Sequence, residues 1–208
     1  MINEINLPFI LIAALIATVS PGPATLAIIG TSMNSGRRYG LALASGVMTG
    51  SLIWSISAAF GLGAIMLANS WVFEILRYFG AGYLLFLAYK SARSALTPGA
   101  AKVQNIVFPS ARKAYTKGLM LHLTNPKAIL FFGSLYSIGI PPNASPEALG
   151  IVIVAIAVQS FLVFHCYALL FSSARITAGY AKLRRWFEAV FALAFGAAGL
   201  KILTTHTD

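Results

Sequence analysis

Two proline-containing segments interrupt apolar stretches of this sequence, and their residue types suit the binding of a small charged molecule. The segments are Ser20-Pro21-Gly22-Pro23 and Asn125-Pro126-Lys127. Proline has no backbone N–H, so each proline leaves a carbonyl of the preceding helical turn without its helical partner. Such carbonyls can bind an ammonium group, and the free N–H groups that begin the next helix can bind a carboxylate. The pattern predicts a site for a zwitterion such as an amino acid, framed by these seven residues.

The prolines are expected to free the carbonyls of Ala17, Val19 and His122. The alternative is a simple kink whose backbone groups are satisfied by neighbouring helices. Lys127 lies about 15 Å along its apolar segment, close to the middle of a bilayer. An ionisable residue at that depth indicates a functional site. Its alternatives are snorkelling to the inner surface or capping carbonyls that the break exposes.

Four further polar residues inside apolar segments are candidates for a proton path, namely His122, Gln159, Ser160 and His165. The two histidines have no nearby carboxylate, so neither a metal site nor a cofactor is predicted. No apolar segment carries a carboxylate pair, a zinc motif or a Ser/His/Asp grouping, and an enzyme is therefore not predicted. The single cysteine, Cys166, excludes an intramolecular disulfide.

The composition indicates a membrane protein. Hydrophobic residues make up 58% of the 208 residues and charged residues 10%, whereas a typical soluble domain has about 25% charged residues. The mean hydropathy is +0.80. Although the net charge is +10, the basic residues are divided among separate loops rather than gathered on one face, which argues against nucleic-acid binding. The N-terminus lacks the basic region of a signal peptide, so the first apolar segment is expected to stay in the mature protein.

Six apolar segments are long enough to cross a bilayer, which predicts an all-α integral membrane protein with six transmembrane helices. They cover residues 7–33, 40–68, 72–94, 118–140, 149–173 and 187–203. The proline breaks fall in the first and fourth segments. Three spans plus three would make two inverted repeats, since an odd number of spans brings the second half into the bilayer from the opposite side. Within one domain, 1–208, the predicted repeats are 1–96 and 118–208, joined by a basic cytoplasmic loop, 97–117.

Lysine and arginine are concentrated in the first, third and fifth loops of this arrangement. They are Arg37, Arg38, Lys102, Arg112, Lys113, Lys117, Arg175, Lys182, Arg184 and Arg185. Because basic residues accumulate on the cytoplasmic side, these loops are predicted to lie inside and both termini on the periplasmic side.

Four blocks of the sequence carry a resemblance to a known family. They are Ser20-Pro21-Gly22-Pro23, the series Gly36, Gly40, Gly46 and Gly50, Gly80-Ala81-Gly82-Tyr83-Leu84, and Thr124-Asn125-Pro126-Lys127-Ala128-Ile129-Leu130-Phe131-Phe132. Over essentially the whole chain, the sequence resembles the LysE/RhtB family of bacterial amino-acid exporters, the LysE-type translocators. Many members have an aspartate in the fifth segment, where this chain has Gln159-Ser160.

The resemblance implies secondary active efflux of amino acids or close derivatives across the bacterial inner membrane, driven by proton antiport. The alternatives are a passive facilitator or channel, and an exporter of another small polar solute. The expected partners are the amino acid and membrane lipid. The glycine series predicts close helix packing, and with the small size of the chain it favours a homodimer.

Overall fold

The computed structural model describes residues 5–20, 22–68, 70–97, 108–141 and 144–204. Within these ranges the chain forms eight α-helices and no strand. The helices are α1 (Leu7–Val19), α2 (Pro23–Ser35), α3 (Arg37–Ala68), α4 (Ser70–Leu96), α5 (Ala111–Leu123), α6 (Pro126–Gly139), α7 (Pro146–Leu170) and α8 (Ala174–Thr204). The expected all-α fold is therefore confirmed for the described part of the chain.

Helices end at both of the predicted breaks. In the first apolar segment α1 ends at Val19 and α2 begins at Pro23, and the directions of the two helices differ by 51°. In the fourth segment α5 ends at Leu123 and α6 begins at Pro126. Proline is favoured at the first position of a helix because the N–H that it lacks would have no helical partner there. Each break is therefore the start of a second helix.

The helices extend into two stretches that the sequence analysis assigned to basic loops. Part of the predicted loop 97–117 is helical, because α5 begins at Ala111, where the hydroxyl of Ser110 accepts a hydrogen bond of 3.2 Å from the backbone N–H of Lys113. The predicted fifth loop is also helical from Ala174 onward, where α8 begins. Lysine and arginine are good helix formers, so a drop in hydropathy does not mark the end of a helix.

The six-span arrangement is not confirmed. Within the described residues, the stretch Arg37–Gly61 of α3 and the whole of α7 are individually long and apolar enough to cross a membrane. The bent pair α1 and α2 meets the same criterion when taken together. Six spans in a 3+3 arrangement therefore remain a prediction.

Two apolar clusters form the core, and the broken segments contribute one helix to each. The first cluster joins α1, α3, α4, α6, α7 and α8 around residues such as Ile10, Leu135 and Ile156. The second joins α2, α3, α5 and α7 around Ile28 and Val47. Since α1 and α6 belong to one cluster and α2 and α5 to the other, both breaks lie where the clusters meet.

Glycines bring α3 and α5 into direct backbone contact. A Cβ atom on Gly46 would collide with the carbonyl oxygen of Tyr115, and one on Gly118 would collide with that of Leu43. A Cβ on Gly50 would lie 2.9 Å from the Cβ of His122. Gly36 differs from the other glycines of its series, since it ends α2 at φ 86°, a conformation that favours glycine.

Candidate functional site

The two breaks are joined by a hydrogen bond. The Lys127 ammonium, at the start of α6, donates to the carbonyl oxygen of Ser20, just after α1, over 3.0 Å. Gly22 makes room for this contact, because a Cβ on Gly22 would lie 3.2 Å from Cδ and 3.4 Å from Nζ of Lys127. The residues that follow α1 and those that begin α6 thus form one site.

The carbonyls at the end of α1 differ in whether they have a hydrogen-bond partner. That of Val19 accepts a hydrogen bond of 2.8 Å from the hydroxyl of Tyr167 on α7. The carbonyls of Ala17 and Thr18 have no partner among the described residues. The carbonyl of Val19 therefore has no helical partner, as expected, but a neighbouring helix satisfies it, which was the stated alternative. The carbonyl of His122 is not free either, since it accepts a hydrogen bond of 3.2 Å from the backbone N–H of Asn125, one residue before Pro126.

The helix that follows each break begins at the same site. At α6, the side-chain oxygen of Asn125 caps the helix by accepting a hydrogen bond of 3.1 Å from the backbone N–H of Lys127. At α2, the cap residue is Gly22, which has no side chain to offer, and Ala24 and Thr25 follow it in the first turn. Uncapped N–H groups and the positive end of the helix dipole favour an anion at this position.

A small cavity lies between these helix ends. Its volume is about 40 Å³, which suits a few waters rather than an amino acid, since one water needs about 10–15 Å³. Phe131, Phe132 and Phe164 form part of its wall. Its polar side chains come from six helices and the second break, and they are Thr18, Thr25, Ser51, His122, Asn125, Lys127 and Ser160.

His122 is the polar group in this cavity that most clearly lacks a partner. The residue is 6% exposed, and neither ring nitrogen has a hydrogen-bond partner in the part of the chain that the structure describes. Leaving such a group unpaired costs about 1–3 kcal/mol. Its imidazole meets the ring of Phe164 edge-on at 6.0 Å between centroids. This geometry suits a ligand or water that supplies the missing hydrogen bonds.

Comparison with known proteins decides the family. The family model described as LysE type translocator matches residues 15–206. The chain belongs to this family. The threonine efflux protein of Salmonella typhi is 27% identical over 194 residues, covering 92% of this chain and 94% of the relative. That of Escherichia coli K12 is 26% identical with the same coverage. An uncharacterized membrane protein of Pseudomonas aeruginosa is 29% identical over 180 residues, covering 85% of this chain and 80% of its own. No solved structure matches the chain significantly.

The structure of this LysE type translocator brings most of the predicted binding residues together. Gly22, Asn125 and Lys127 line the cavity, and Ser20 joins them through its carbonyl. Pro23 and Pro126 begin the helices that point at the cavity. Pro21 lies outside the described residues.

Two of the four residues of the predicted proton path line the cavity, and the other two do not. His122 and Ser160 line the cavity, where the hydroxyl of Ser160 lies 3.3 Å from that of Ser51. His165 does not line it. Its ring nitrogens lie 3.0 Å from the hydroxyl of Ser45 and 2.9 Å from the carbonyl of Phe161. Gln159 is likewise not among the lining residues, and its buried side-chain nitrogen has no partner within the described ranges.

Some residues of the site were not predicted from the sequence. Thr25 and Ser51 line the cavity, and Tyr167 binds the end of α1. Isolated hydroxyl groups are frequent in apolar helices, so their position alone carries little signal. Proximity to a break was the usable signal for Thr25, which lies two residues after Pro23. Across the described ranges, no three His, Cys, Asp or Glu side chains form a group suited to a metal ion.

Proposed function

We propose that this LysE type translocator is a secondary active transporter that exports amino acids across the bacterial inner membrane. The observation that supports this most directly is the meeting of opposed helix ends around one small cavity. The C-terminus of α1 presents carbonyl oxygens, whereas the N-terminus of α2 presents uncapped N–H groups beside Lys127. A zwitterion carries both of the complementary charges, an ammonium for the carbonyl oxygens and a carboxylate for the N–H groups.

In this proposal the two ends of the cargo bind to opposite poles of the broken helix. The carboxylate binds the N–H groups of Ala24 and Thr25 and the ammonium of Lys127. The ammonium of the cargo binds the carbonyls of Ala17 and Thr18, which are free of described partners. His122, Ser51 and Ser160 remain for a polar side chain of the cargo.

The cavity must enlarge before it can bind an amino acid, because its volume now suits only a few waters. We assign this conformation to a closed state of an alternating-access cycle. Opening moves the broken helices apart at the hydrogen bond from Lys127 to Ser20. A carboxylate of the cargo can then replace the Ser20 carbonyl as the partner of Lys127.

The proposed topology has six spans in two inverted halves, with both termini on the periplasmic side. The basic residues of α5 and of the first part of α8 then lie at the cytoplasmic surface. We also propose that the protein is a homodimer in the inner membrane and that proton antiport drives export. Since two relatives are named as threonine efflux proteins, L-threonine is the first cargo to test.

The test uses purified protein in lipid vesicles loaded with labelled L-threonine, with an imposed pH gradient. We expect transport against the threonine gradient, abolished by an uncoupler. Unlabelled amino acids should compete, whereas the matching amine without a carboxylate and the matching acid without an ammonium should compete at least about tenfold less well, since each loses one charged contact.

Two results would contradict the proposal in different ways. Transport that only ever equilibrates the cargo would identify a passive facilitator. Equal competition by the amine, the acid and the amino acid would exclude recognition of both charges and point to another small polar solute.

A further inference from the structure

The side chain of His122, at the end of α5, is packed against apolar atoms of two other helices at the wall of the cavity. A Cβ on Gly50 of α3 would lie 2.9 Å from Cβ and 3.3 Å from Cδ2 of His122. On α7, the ring of Phe164 meets the imidazole at an interplanar angle of 73°. Neither contact is a hydrogen bond, and both ring nitrogens are buried without a partner among the described residues. The imidazole is therefore held by packing, and its hydrogen-bonding groups remain for a bound molecule.

The backbone connects His122 to the group that binds the carboxylate of the cargo in the proposed function. The carbonyl of His122 accepts a hydrogen bond of 3.2 Å from the N–H of Asn125. The side chain of Asn125 in turn accepts one of 3.1 Å from the N–H of Lys127. The side chains of all three residues line the same small cavity. A cargo held at Lys127 is therefore within reach of His122.

Two buried hydroxyl groups line the cavity together with this imidazole. The hydroxyl of Ser51, the residue after Gly50 on α3, lies 3.3 Å from that of Ser160 on α7. A hydroxyl has one donor hydrogen and two acceptor lone pairs, so each of these groups can make further hydrogen bonds. None of the described residues that line the cavity is acidic. Besides the cation of Lys127, the cavity therefore offers a cargo side chain neutral groups that both donate and accept.

The chemistry of an imidazole discriminates among the side chains that a cargo could carry. A neutral imidazole has one nitrogen that donates and one that accepts. A hydroxyl can bind either nitrogen, whereas an ammonium only donates and a carboxylate only accepts. A cationic side chain would also be repelled by Lys127. An apolar side chain of equal size would bury the imidazole without giving it a hydrogen bond, which disfavours binding.

We propose that His122 determines which amino acids are exported, by binding a hydroxyl on a short side chain of the cargo. This inference rests on the proposed function and adds to it the residue that discriminates and the group that it recognises. The side chain must be short, because the cavity is small and Phe131, Phe132 and Phe164 form part of its wall. Serine and threonine meet both conditions. Valine has the shape of threonine with a methyl group in place of the hydroxyl, and it is excluded.

The test compares the transport of labelled L-threonine and labelled L-valine by the full-length protein in lipid vesicles. For the wild-type protein we expect kcat/KM for threonine to exceed that for valine at least about tenfold. In His122→Leu an apolar group replaces the imidazole, so this ratio should fall to within about twofold of one. The ratio does not depend on the amount of folded protein. A purely structural role of His122 would therefore leave it unchanged.

Two further variants separate hydrogen bonding from packing. His122→Gln retains a donor and an acceptor at the end of the side chain, so the ratio should stay at least about fivefold in favour of threonine. The matched control is His165→Leu, which removes a histidine that does not line the cavity and should keep the wild-type ratio. If His122→Leu fails to fold, His122→Met makes the same comparison with a more flexible apolar side chain.

The results that would overturn this inference differ from those that would overturn the proposed function. Equal transport of threonine and valine by the wild-type protein would exclude recognition of the hydroxyl and leave amino-acid export intact. A wild-type ratio in His122→Leu would show that another residue binds the hydroxyl. Ratios near one in both His122→Leu and His122→Gln would contradict a role in hydrogen bonding. Wild-type protein that transports no amino acid would overturn the proposed function itself, and this inference with it.

Discussion

The ammonium of Lys127 closes the first break of the chain, because it donates a 3.0 Å hydrogen bond to the carbonyl of Ser20. The two residues are 107 positions apart, and each lies beside a proline that interrupts an apolar segment. A charged side chain from one half of the sequence therefore satisfies a carbonyl that the other half exposes. The same side chain lines the cavity. Lys127 thus caps a carbonyl that the break exposes and also lines the cavity, so the two interpretations that the sequence left as alternatives are compatible.

Replacing Lys127 by methionine should separate transport from assembly. The substitution keeps most of the side-chain volume but removes the charge-assisted hydrogen bond to Ser20, which is worth about 1.5–3 kcal/mol. We expect export per molecule to fall at least about tenfold, with a lower temperature of unfolding in detergent. Export rate normalised to protein in the membrane measures the first effect. Wild-type export by Lys127→Met would show that the ammonium does not take part.

A methyl group on Gly22 should displace the Lys127 side chain. An alanine Cβ at this position would lie 3.2 Å from Cδ of Lys127, closer than normal carbon–carbon contacts of about 3.5–4.0 Å. We expect Gly22→Ala to reduce export about tenfold. The matched control is Gly133→Ala on α6, where a Cβ would meet nothing within 4 Å. Equal export by the two variants would show that Gly22 does not hold this space open.

Replacing His122 or His165 by leucine should have different effects on the stability of the protein. Both ring nitrogens of His122 are buried without a described partner, so His122→Leu should leave the free energy of unfolding unchanged or raise it by about 1 kcal/mol. It should also reduce export, because the cavity loses its imidazole. His165 has a described neighbour at each ring nitrogen, and His165→Leu should lower stability by about 1 kcal/mol. Thermal unfolding of both variants in detergent compares them directly. A larger loss of stability for His122→Leu than for His165→Leu would mean that the imidazole of His122 has a hydrogen-bond partner.

The hydroxyl of Tyr167 should stabilise the end of α1. Tyr167→Phe removes the donor to the carbonyl of Val19 and should cost about 1 kcal/mol of unfolding free energy. Tyr89, which is 62% exposed, provides the control Tyr89→Phe. Hydrogen exchange of the residues around Val19 should increase only in the Tyr167 variant. If both variants unfold at the wild-type temperature, the bond to Val19 contributes little.

The contact between α3 and α5 should not tolerate a side chain at Gly118. The Cβ of alanine would collide with the carbonyl of Leu43, and such overpacking costs about 1–3 kcal/mol. Gly118→Ala should therefore reach the membrane in smaller amounts and unfold at a lower temperature. Gly82→Ala on α4 is the control, since nothing lies within 4 Å of its Cβ. Equal amounts of the two variants in the membrane would argue against a tight contact.

Local chemistry made the positions of the breaks predictable from the sequence. The groups that satisfy the carbonyls at the breaks were not predictable. A proline cannot donate a backbone hydrogen bond wherever it lies, so the ends of α1 and α5 could be placed from the sequence alone. The partners of Val19 and Ser20 lie on α7 and α6, and only the packing of distant helices sets these contacts. The sequence analysis could therefore name freed carbonyls but could not tell which of them a neighbour would satisfy.

Hydropathy located apolar segments and missed the ends of helices. The helical starts at Ala111 and Ala174 lie in basic stretches, because lysine and arginine reach water from a helix as easily as from a loop. The acid Glu188 on α8, which is buried at 5% exposure, was overlooked for a related reason. It lies at the edge of the predicted segment 187–203, where an acidic residue is readily interpreted as the end of an apolar segment and not as a buried group. Its burial depends on the packing of α8 against α4, which the linear sequence does not show.

The backbone contact between α3 and α5 bears on which helices determine cargo preference and which determine the turnover rate. Gly46 and Gly118 leave no side chain that could adjust between these helices, so we expect the two helices to move as one body. In the proposed transport cycle, Ser51 on α3 and His122 on α5 would then keep their spacing while α1 and α6 rearrange. Changes in cargo preference should therefore map to α3 and α5, and changes in turnover to the prolines and to Lys127. The two properties could then be altered independently.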